Sequence, residues 1–156
     1  MYFANQLLSH KIVSGFPEQR LAYLSERIVK SGAQYCAVLQ PRSFELLGLV
    51  CFSDIAAHPE TATRILADLM VQPPQHKVLN SDPVEKVVNL LVENDPSEVV
   101  VEDESGTFSG LITPESFSRW LLATAPSLEF ALSRLPAHSR WNPYSSSLEQ
   151  GDMKAG

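Results

Sequence analysis

The stretch "GLVCFSDI", Gly48 to Ile55, has a counterpart 62 residues later in "GLITPESF", Gly110 to Phe117. Each stretch begins with Gly-Leu and a β-branched residue and then becomes polar. A buried strand has this pattern where it ends and the chain turns into a helix. The agreement predicts that one structural unit is used twice, because self-similarity at a fixed spacing is typical of repeated folds.

Segments before these two stretches repeat in the same order. "HKIV", His10 to Val13, recurs as "HKVL", His76 to Leu79, and a polar turn with proline follows each. A helix is predicted next in both copies, since apolar residues recur there at three- and four-residue spacing. Gly32 and Pro96 end these helices. The predicted apolar faces are Leu21, Leu24, Ile28 and Val29 in the first copy and Val84, Val87, Leu91 and Val92 in the second.

Each copy then predicts a hairpin and a second helix. Apolar, β-branched runs separated by Pro, Ser, Gly and acidic residues read as paired strands. The second helices are predicted from Asp54 past His58 and from Pro114 to Leu122. A unit of about 50 residues buries too little surface to be stable alone. We therefore predict an α/β (α+β) fold of two β-α-β-β-α repeats packed about a pseudo-twofold axis. The predicted strands are "YCAVL", "LLGLVC", "EVVV" and "FSGLIT".

The predicted organisation is a first repeat over 1–58, a linker over 59–74, a second repeat over 75–122 and a tail over 123–156. Within the linker, "TATRILADLM" is predicted to be helical until Pro73-Pro74 ends it. In the tail, "SLEFALSRL" predicts a short helix capped by Ser127. Beyond Pro136 we expect little order, since prolines, serines and scattered apolar residues dominate.

Composition excludes some functions. Of 156 residues 44% are hydrophobic, which is enough for a packed core, and the formal charge of −6 argues against general binding to nucleic acid or anionic lipid. The longest apolar run, Leu46 to Phe52, is too short to cross a membrane. The start of the chain has no basic leader, so we expect a cytoplasmic protein. Cys36 and Cys51 lie in apolar runs and are expected to be buried free thiols.

Two longer stretches resemble a known family. "ADLMVQPPQHKVLNSDPVEKVVNLL", Ala67 to Leu91, is similar to the entry into the second repeat of tandem cystathionine-β-synthase-type (CBS) domains, a pair called a Bateman module. "VVVEDESGTFSGLITPESF", Val99 to Phe117, is similar to the hairpin and following helix of that repeat. The resemblance covers about Ser9 to Leu122. It implies non-catalytic sensors with two clefts for adenosine-containing ligands, which commonly pair into disc-like homodimers and act on an attached or partner protein.

The ligand motif of that family runs Gly, two apolar residues, Ser or Thr, two variable residues, then Asp or Asn. A hydroxyl there can donate to a phosphate or ribose oxygen, and a carboxylate can accept both ribose hydroxyls. In the first copy a thiol stands at the hydroxyl position, with a serine near it, and the carboxylate is present. In the second copy the hydroxyl is present and serine replaces the carboxylate. The candidate residues are Gly48, Cys51, Ser53, Asp54, Gly110, Thr113 and Ser116.

The resemblance therefore implies two unequal sites for AMP, ADP, ATP or S-adenosylmethionine, with Asp54 as the principal residue. The alternative is that Asp54 and Thr113 only cap helices. Three function classes stay open: a nucleotide-responsive regulator of a signalling protein, a ligand-free dimerisation module, and a small thiol enzyme. The thiol enzyme would pair Cys51 or Cys36 with His58, but both cysteines lie in predicted strands that do not present them to a substrate.

The remaining polar and aromatic candidates have two interpretations each. His10-Lys11, His76-Lys77 and Arg119 either flank the clefts or are solvated surface charges. The four histidines show no spacing typical of a metal site. The apolar stripe on the last predicted helix belongs either to the core or to a dimer face. Its members are Phe117, Trp120 and Leu121.

Overall fold

Two three-stranded sheets of matching topology form the protein. The computed structural model describes residues 2–55, 58–124 and 133–143, and of Asp54 and Ile55 only the backbone. In each sheet the first two strands are parallel and the last two antiparallel. The strands are β1 Ile12–Gly15, β2 Tyr35–Leu39, β3 Leu46–Cys51, β4 Lys77–Leu79, β5 Val99–Glu102 and β6 Phe108–Ile112. The predicted fold class is confirmed, and the strands lie within about two residues of their predicted ends.

A helix joins the parallel strands of each sheet, as parallel pairing requires a crossover. These helices are α1 Ser25–Ser31, preceded by a 3₁₀ turn over Leu21–Leu24, and α4 Val84–Asn94. Gly32, with φ of 64°, and Asp95, with φ of 43°, end them in the left-handed conformation. This conformation is a common helix end because it lets the last carbonyls find donors.

The prediction assigned one residue too many to the apolar face of each of these helices, at equivalent positions in the two repeats. Val29 is 81% exposed and Val92 is 41% exposed. Consecutive helix residues point about 100° apart. The two valines therefore follow Ile28 and Leu91 around the helix and lie outside the face that those residues turn toward the core.

The second helices differ between the repeats. In the second repeat α5 spans Pro114–Ala123, as predicted. In the first, α2 spans only Phe52–Ile55, and a 3₁₀ helix follows over Pro59–Thr63. The predicted linker helix is likewise shorter, since α3 covers only Leu66–Leu69. Arg64 and Ile65, which precede α3, are extended because they pair with the chain at the 3₁₀ turn before α1. There Leu21 N donates to Arg64 O at 3.0 Å.

A short segment from outside each repeat completes its core. Ala4 and Leu7, in a 3₁₀ helix over Ala4–Leu7, are buried with the residues of the second repeat. Leu66 is buried in the same way among residues of the first repeat. Each segment then runs beside the last strand of the sheet it covers: Ser9 N donates to Leu111 O at 2.8 Å, as Val71 N does to Leu49 O at 2.8 Å. The two repeats are therefore interlocked.

The two sheets pack face to face through an apolar layer. Ala37, Leu39 and Leu49 from the first sheet meet Val100 and Leu111 from the second, and all five are buried. The apolar stripe of α5 is mainly core, because Phe117 and Leu121 are at most 1% exposed. Burial of these residues is the main force holding the repeats together.

The C-terminal segment is more ordered than its composition suggests. Trp141 is fully buried, its indole N–H donates to Pro96 O at 2.7 Å, and its ring meets Phe117 edge-on at a centroid distance of 5.8 Å. The expectation of little order beyond Pro136 is thus wrong for Ala137 to Pro143. One tryptophan carries enough apolar surface to hold a short polar segment on the core. The Ser127 cap and residues 144–156 lie outside the described part of the chain.

Candidate functional site

The two motif glycines lie where another segment crosses the last strand of each sheet. A Cβ on Gly48 would lie 2.6 Å from Val71 O and 2.8 Å from Met70 Sδ. A Cβ on Gly110 would lie 3.1 Å from the side chain of Leu8. Only glycine leaves room for such a close approach. Packing of the crossing segments therefore explains both glycines without a ligand, and a direct ligand contact by either one stays a prediction.

The first motif borders an open cavity at the end of β3. Cys51, half-buried, has its Sγ 3.1 Å from the Oγ of the exposed Ser53. The cavity has a volume of about 460 Å³, within the range typical of small-molecule sites. The structure thus brings two of the predicted ligand residues together in one wall. Asp54 follows them in α2, with its side chain outside the described atoms. The lining residues are Ala33, Gln34, Tyr35, Cys51, Phe52 and Ser53.

The second motif is closed on itself. Thr113 is the N-cap of α5, and its hydroxyl accepts a hydrogen bond from Ser116 N at 3.1 Å. The Ser116 hydroxyl accepts a hydrogen bond from Thr113 N at 2.9 Å and donates one to Thr113 O at 3.1 Å. Both residues are at least 96% buried, with exposures of 3% and 4%. This reciprocal pair of hydrogen bonds is a capping box, so Thr113 has the helix-capping role that was the alternative to ligand binding. Neither hydroxyl points at solvent.

A charged cluster joins the two repeats beside the first cavity. Glu115, in the first turn of α5, accepts a hydrogen bond from Lys11 Nζ at 2.7 Å and another from Gln34 Nε2 at 3.3 Å. Arg119 Nη2 lies 3.8 Å from the same carboxylate. The hydrogen bond from Lys11 is the main reason why the pKa of Glu115 lies below its usual range.

Two of the cations predicted to flank a cleft therefore converge on a carboxylate that the sequence interpretation overlooked. Glu115 occupies a variable position of the motif, so the motif gives no reason to select it. The one signal in the sequence was its place in the first turn of a predicted helix. A helix N-terminus favours a carboxylate, but this preference does not indicate which cation the carboxylate contacts. The counterpart Lys77 turns elsewhere and lies 3.6 Å from Glu102 Oε2.

The cysteines are free thiols in different surroundings. Cys36 is fully buried, and that burial raises the pKa of its thiol to about 12. A thiol with such a pKa stays protonated at neutral pH and is a poor nucleophile. His58, the suggested base of a thiol enzyme, lies 3.4 Å from Glu60 at the surface. These observations weaken the thiol-enzyme interpretation for Cys36.

The described residues also bear on metal and membrane sites. No group of three or more His, Cys, Asp or Glu side chains within them is placed to hold a metal ion. Within the same part of the chain, no helix is both long enough and apolar enough to span a lipid bilayer.

Comparison with known proteins adds information on the fold. No family model matches the sequence, and no curated protein matches it either. Solved structures do match. Protein MJ1004 from Methanocaldococcus jannaschii is 12% identical with a TM-score of 0.63, and the match covers 78% of this chain and 60% of that one. This chain thus spans less than two thirds of that protein.

Two further matches are crystal structures with bound ligands. CBSX2 in complex with AMP is 21% identical with a TM-score of 0.59, covering 79% of this chain and 98% of that one. The CBS domain pair of protein MJ0100, in complex with 5′-methylthioadenosine and S-adenosyl-L-methionine, is 17% identical with a TM-score of 0.59, covering 78% and 97%. At these identities the likeness is one of fold.

Proposed function

We propose, from its fold as a tandem CBS domain pair, that this protein is a non-catalytic regulatory module that binds an adenosine-containing ligand between its repeats. The observation that carries the proposal is the cavity of about 460 Å³ beside Cys51 and Ser53. Its lining residues belong to the first repeat, and two of them, Gln34 and Tyr35, donate hydrogen bonds to Glu115 and Glu98 of the second repeat, so the cavity lies beside the junction of the repeats. AMP, 5′-methylthioadenosine and S-adenosylmethionine, the ligands of two structurally similar proteins, share the adenosine moiety. That moiety is the chemical feature that we expect the cavity to recognise.

The cavity beside the first motif is the favoured site, because the two motifs differ in the polar side chains that they leave accessible to a ligand. Ser53 is exposed next to the cavity, whereas Thr113 and Ser116 are buried in their own capping box. In this proposal the Asp54 carboxylate accepts the ribose hydroxyls, a charge-assisted bond that few other groups could replace. The second motif contributes structure rather than ligand contacts.

Calorimetric titration with AMP, ADP, ATP and S-adenosylmethionine tests the proposal. We expect heat with at least one of the four. Asp54→Ala should weaken that binding by about 10- to 100-fold, the cost of losing a hydrogen bond to a charged group. Asp68→Ala is the matched control, since Asp68 is an exposed acid in the first turn of the equally short α3, and it should bind as the native protein does. Flat titrations with all four ligands would refute the proposal.

A homodimer that acts on a signalling protein in trans completes the proposal. Val29 and Val92, exposed at equivalent positions of α1 and α4, are apolar surface of the kind that a dimer buries. Light scattering should give twice the monomer mass. Affinity capture with and without AMP should recover an effector in a nucleotide-dependent manner. Capture of the protein alone under both conditions would remove the effector from the proposal.

A ligand-free dimerisation module is the second candidate. It is favoured by the closed capping box of Thr113 and by the packing explanation for Gly48 and Gly110. It predicts a stable dimer whose thermal midpoint ignores every adenine nucleotide. A ligand that binds the folded state raises that midpoint by mass action. A thermal-shift series therefore separates the two candidates.

A further inference from the structure

We propose that Glu115 is a built-in competitor for the phosphate group of the ligand, so that the native site recognises the nucleoside and gains little from its phosphate. This inference rests on the proposed function and refines it. The carboxylate of Glu115 lies between the two cations that a phosphate near the cavity would use, Lys11 and Arg119.

The contacts of Glu115 resemble those of a bound phosphate. One oxygen, Oε1, lies 2.7 Å from Lys11 Nζ and 3.8 Å from Arg119 Nη2. The other, Oε2, accepts a hydrogen bond from Gln34 Nε2 at 3.3 Å. Lysine, arginine and amide donors around an anionic oxygen are the usual receptor for a phosphate. Here a side chain of the second repeat is already in that position.

The cluster adjoins the cavity through a shared residue. Gln34 forms part of the cavity wall and also donates to Glu115. A ligand whose nucleoside occupied the cavity would therefore meet this cluster with its phosphate. Its phosphate would have to replace the carboxylate before it gained any contact with Lys11, and the displaced carboxylate would then repel it at short range.

The exchange of partners is feasible because the cluster is accessible to solvent. The side chains of Lys11, Glu115 and Arg119 are 41%, 45% and 48% exposed. Ion pairs this exposed are weak and are screened by salt. The lowered pKa of Glu115 keeps the carboxylate charged at neutral pH, so it competes in its anionic form. Removing its charge would leave two free cations for the phosphate.

Binding of adenosine and AMP to Glu115→Gln tests this directly. In the native protein we expect the two affinities to agree within about threefold. In the variant AMP should bind about tenfold more tightly than in the native protein, the scale of one unit charge removed a few ångströms from a phosphate, while adenosine changes less than about twofold. Lys11→Met added to Glu115→Gln should remove the gain for AMP and leave adenosine unaffected.

Glu85→Gln is the matched control. Glu85 holds the same first-turn position in α4 as Glu115 does in α5, so both substitutions remove one charge from a helix N-terminus. Glu85→Gln should bind adenosine and AMP as the native protein does. An equal gain for AMP in both variants would assign the effect to net charge and would overturn the inference.

The same titrations separate this inference from the proposed function. If native protein and Glu115→Gln both bind adenosine and AMP with unchanged affinities, the proposed function stands and the inference fails. If only the variant binds AMP, the inference stands and the native chain is not an AMP sensor. If neither the native protein nor any variant binds adenosine or AMP, the inference fails, and the titrations with ADP, ATP and S-adenosylmethionine then decide the proposed function.

Discussion

Truncation of Trp141 measures how much the C-terminal segment contributes to stability. The side chain is fully buried, stacks edge-on against Phe117 and donates its indole N–H to Pro96 O at 2.7 Å. Truncating a buried Trp or Phe to Ala costs about 3–5 kcal/mol through lost burial and the cavity left behind. Loss of the hydrogen bond leaves a carbonyl acceptor without its donor, which adds to the cost. We expect Trp141→Ala to lower the free energy of unfolding by about 4 kcal/mol.

Urea unfolding followed by far-ultraviolet circular dichroism is the suitable assay, because the substitution removes one of two tryptophans and would alter fluorescence by itself. Arg140→Ala is the control. Arg140 is half-exposed, donates to Ser97 Oγ at 3.0 Å and lies 3.6 Å from Asp95, so its loss should cost less than about 1 kcal/mol. If Trp141→Ala is as mild as Arg140→Ala, the segment does not pack on the second repeat as described.

Two further predictions concern the motif residues and the cysteines. Gly48→Ala should destabilise the fold by about 2–3 kcal/mol, because the new Cβ meets the backbone oxygen of Val71 at 2.6 Å. Gly110→Ala should cost less than about 1 kcal/mol, because its Cβ meets the side chain of Leu8, which can move. Equal thermal midpoints for the two variants would contradict this. Iodoacetamide should modify Cys51 in the native protein and spare Cys36, whose buried thiol has its pKa raised to about 12. Mass spectrometry of the labelled protein measures this, and equal labelling of both residues would show that Cys36 is accessible.

The repeat could be predicted because its signals are local. A strand followed by a polar turn, an apolar spacing of three and four, and a proline at a helix start each depend on a few neighbouring residues. The recurrence of these signals in one order predicted both sheets, α4 and α5. Prediction was poorer where neighbouring chain segments decide the conformation. Arg64 and Ile65 read as helix but are extended because they pair with Arg20 and its neighbours.

The candidate site was predicted only in part. The sequence selected Cys51 and Ser53, which do line one cavity. It also offered helix capping as the alternative role of Asp54 and Thr113, and Thr113 is indeed the N-cap of α5, whereas Asp54 lies within α2. It could not select Glu115, because the main partner of that carboxylate is Lys11, which is 104 positions away in the chain. A variable position in a motif shows its partner only when the repeats are packed together.

The sequence by itself determined that one β-α-β-β-α unit occurs twice, since backbone propensity and hydrophobic periodicity act within each unit. The tertiary structure alone decided how the units interlock. Leu66 is buried in the core of the first repeat, and Leu7 is buried in the core of the second. It also decided that Trp141 covers the second repeat and that Glu115 neutralises two cations at the junction. The physical reason is that burial and charge pairing depend on distance in space, which a chain sets only once it has folded.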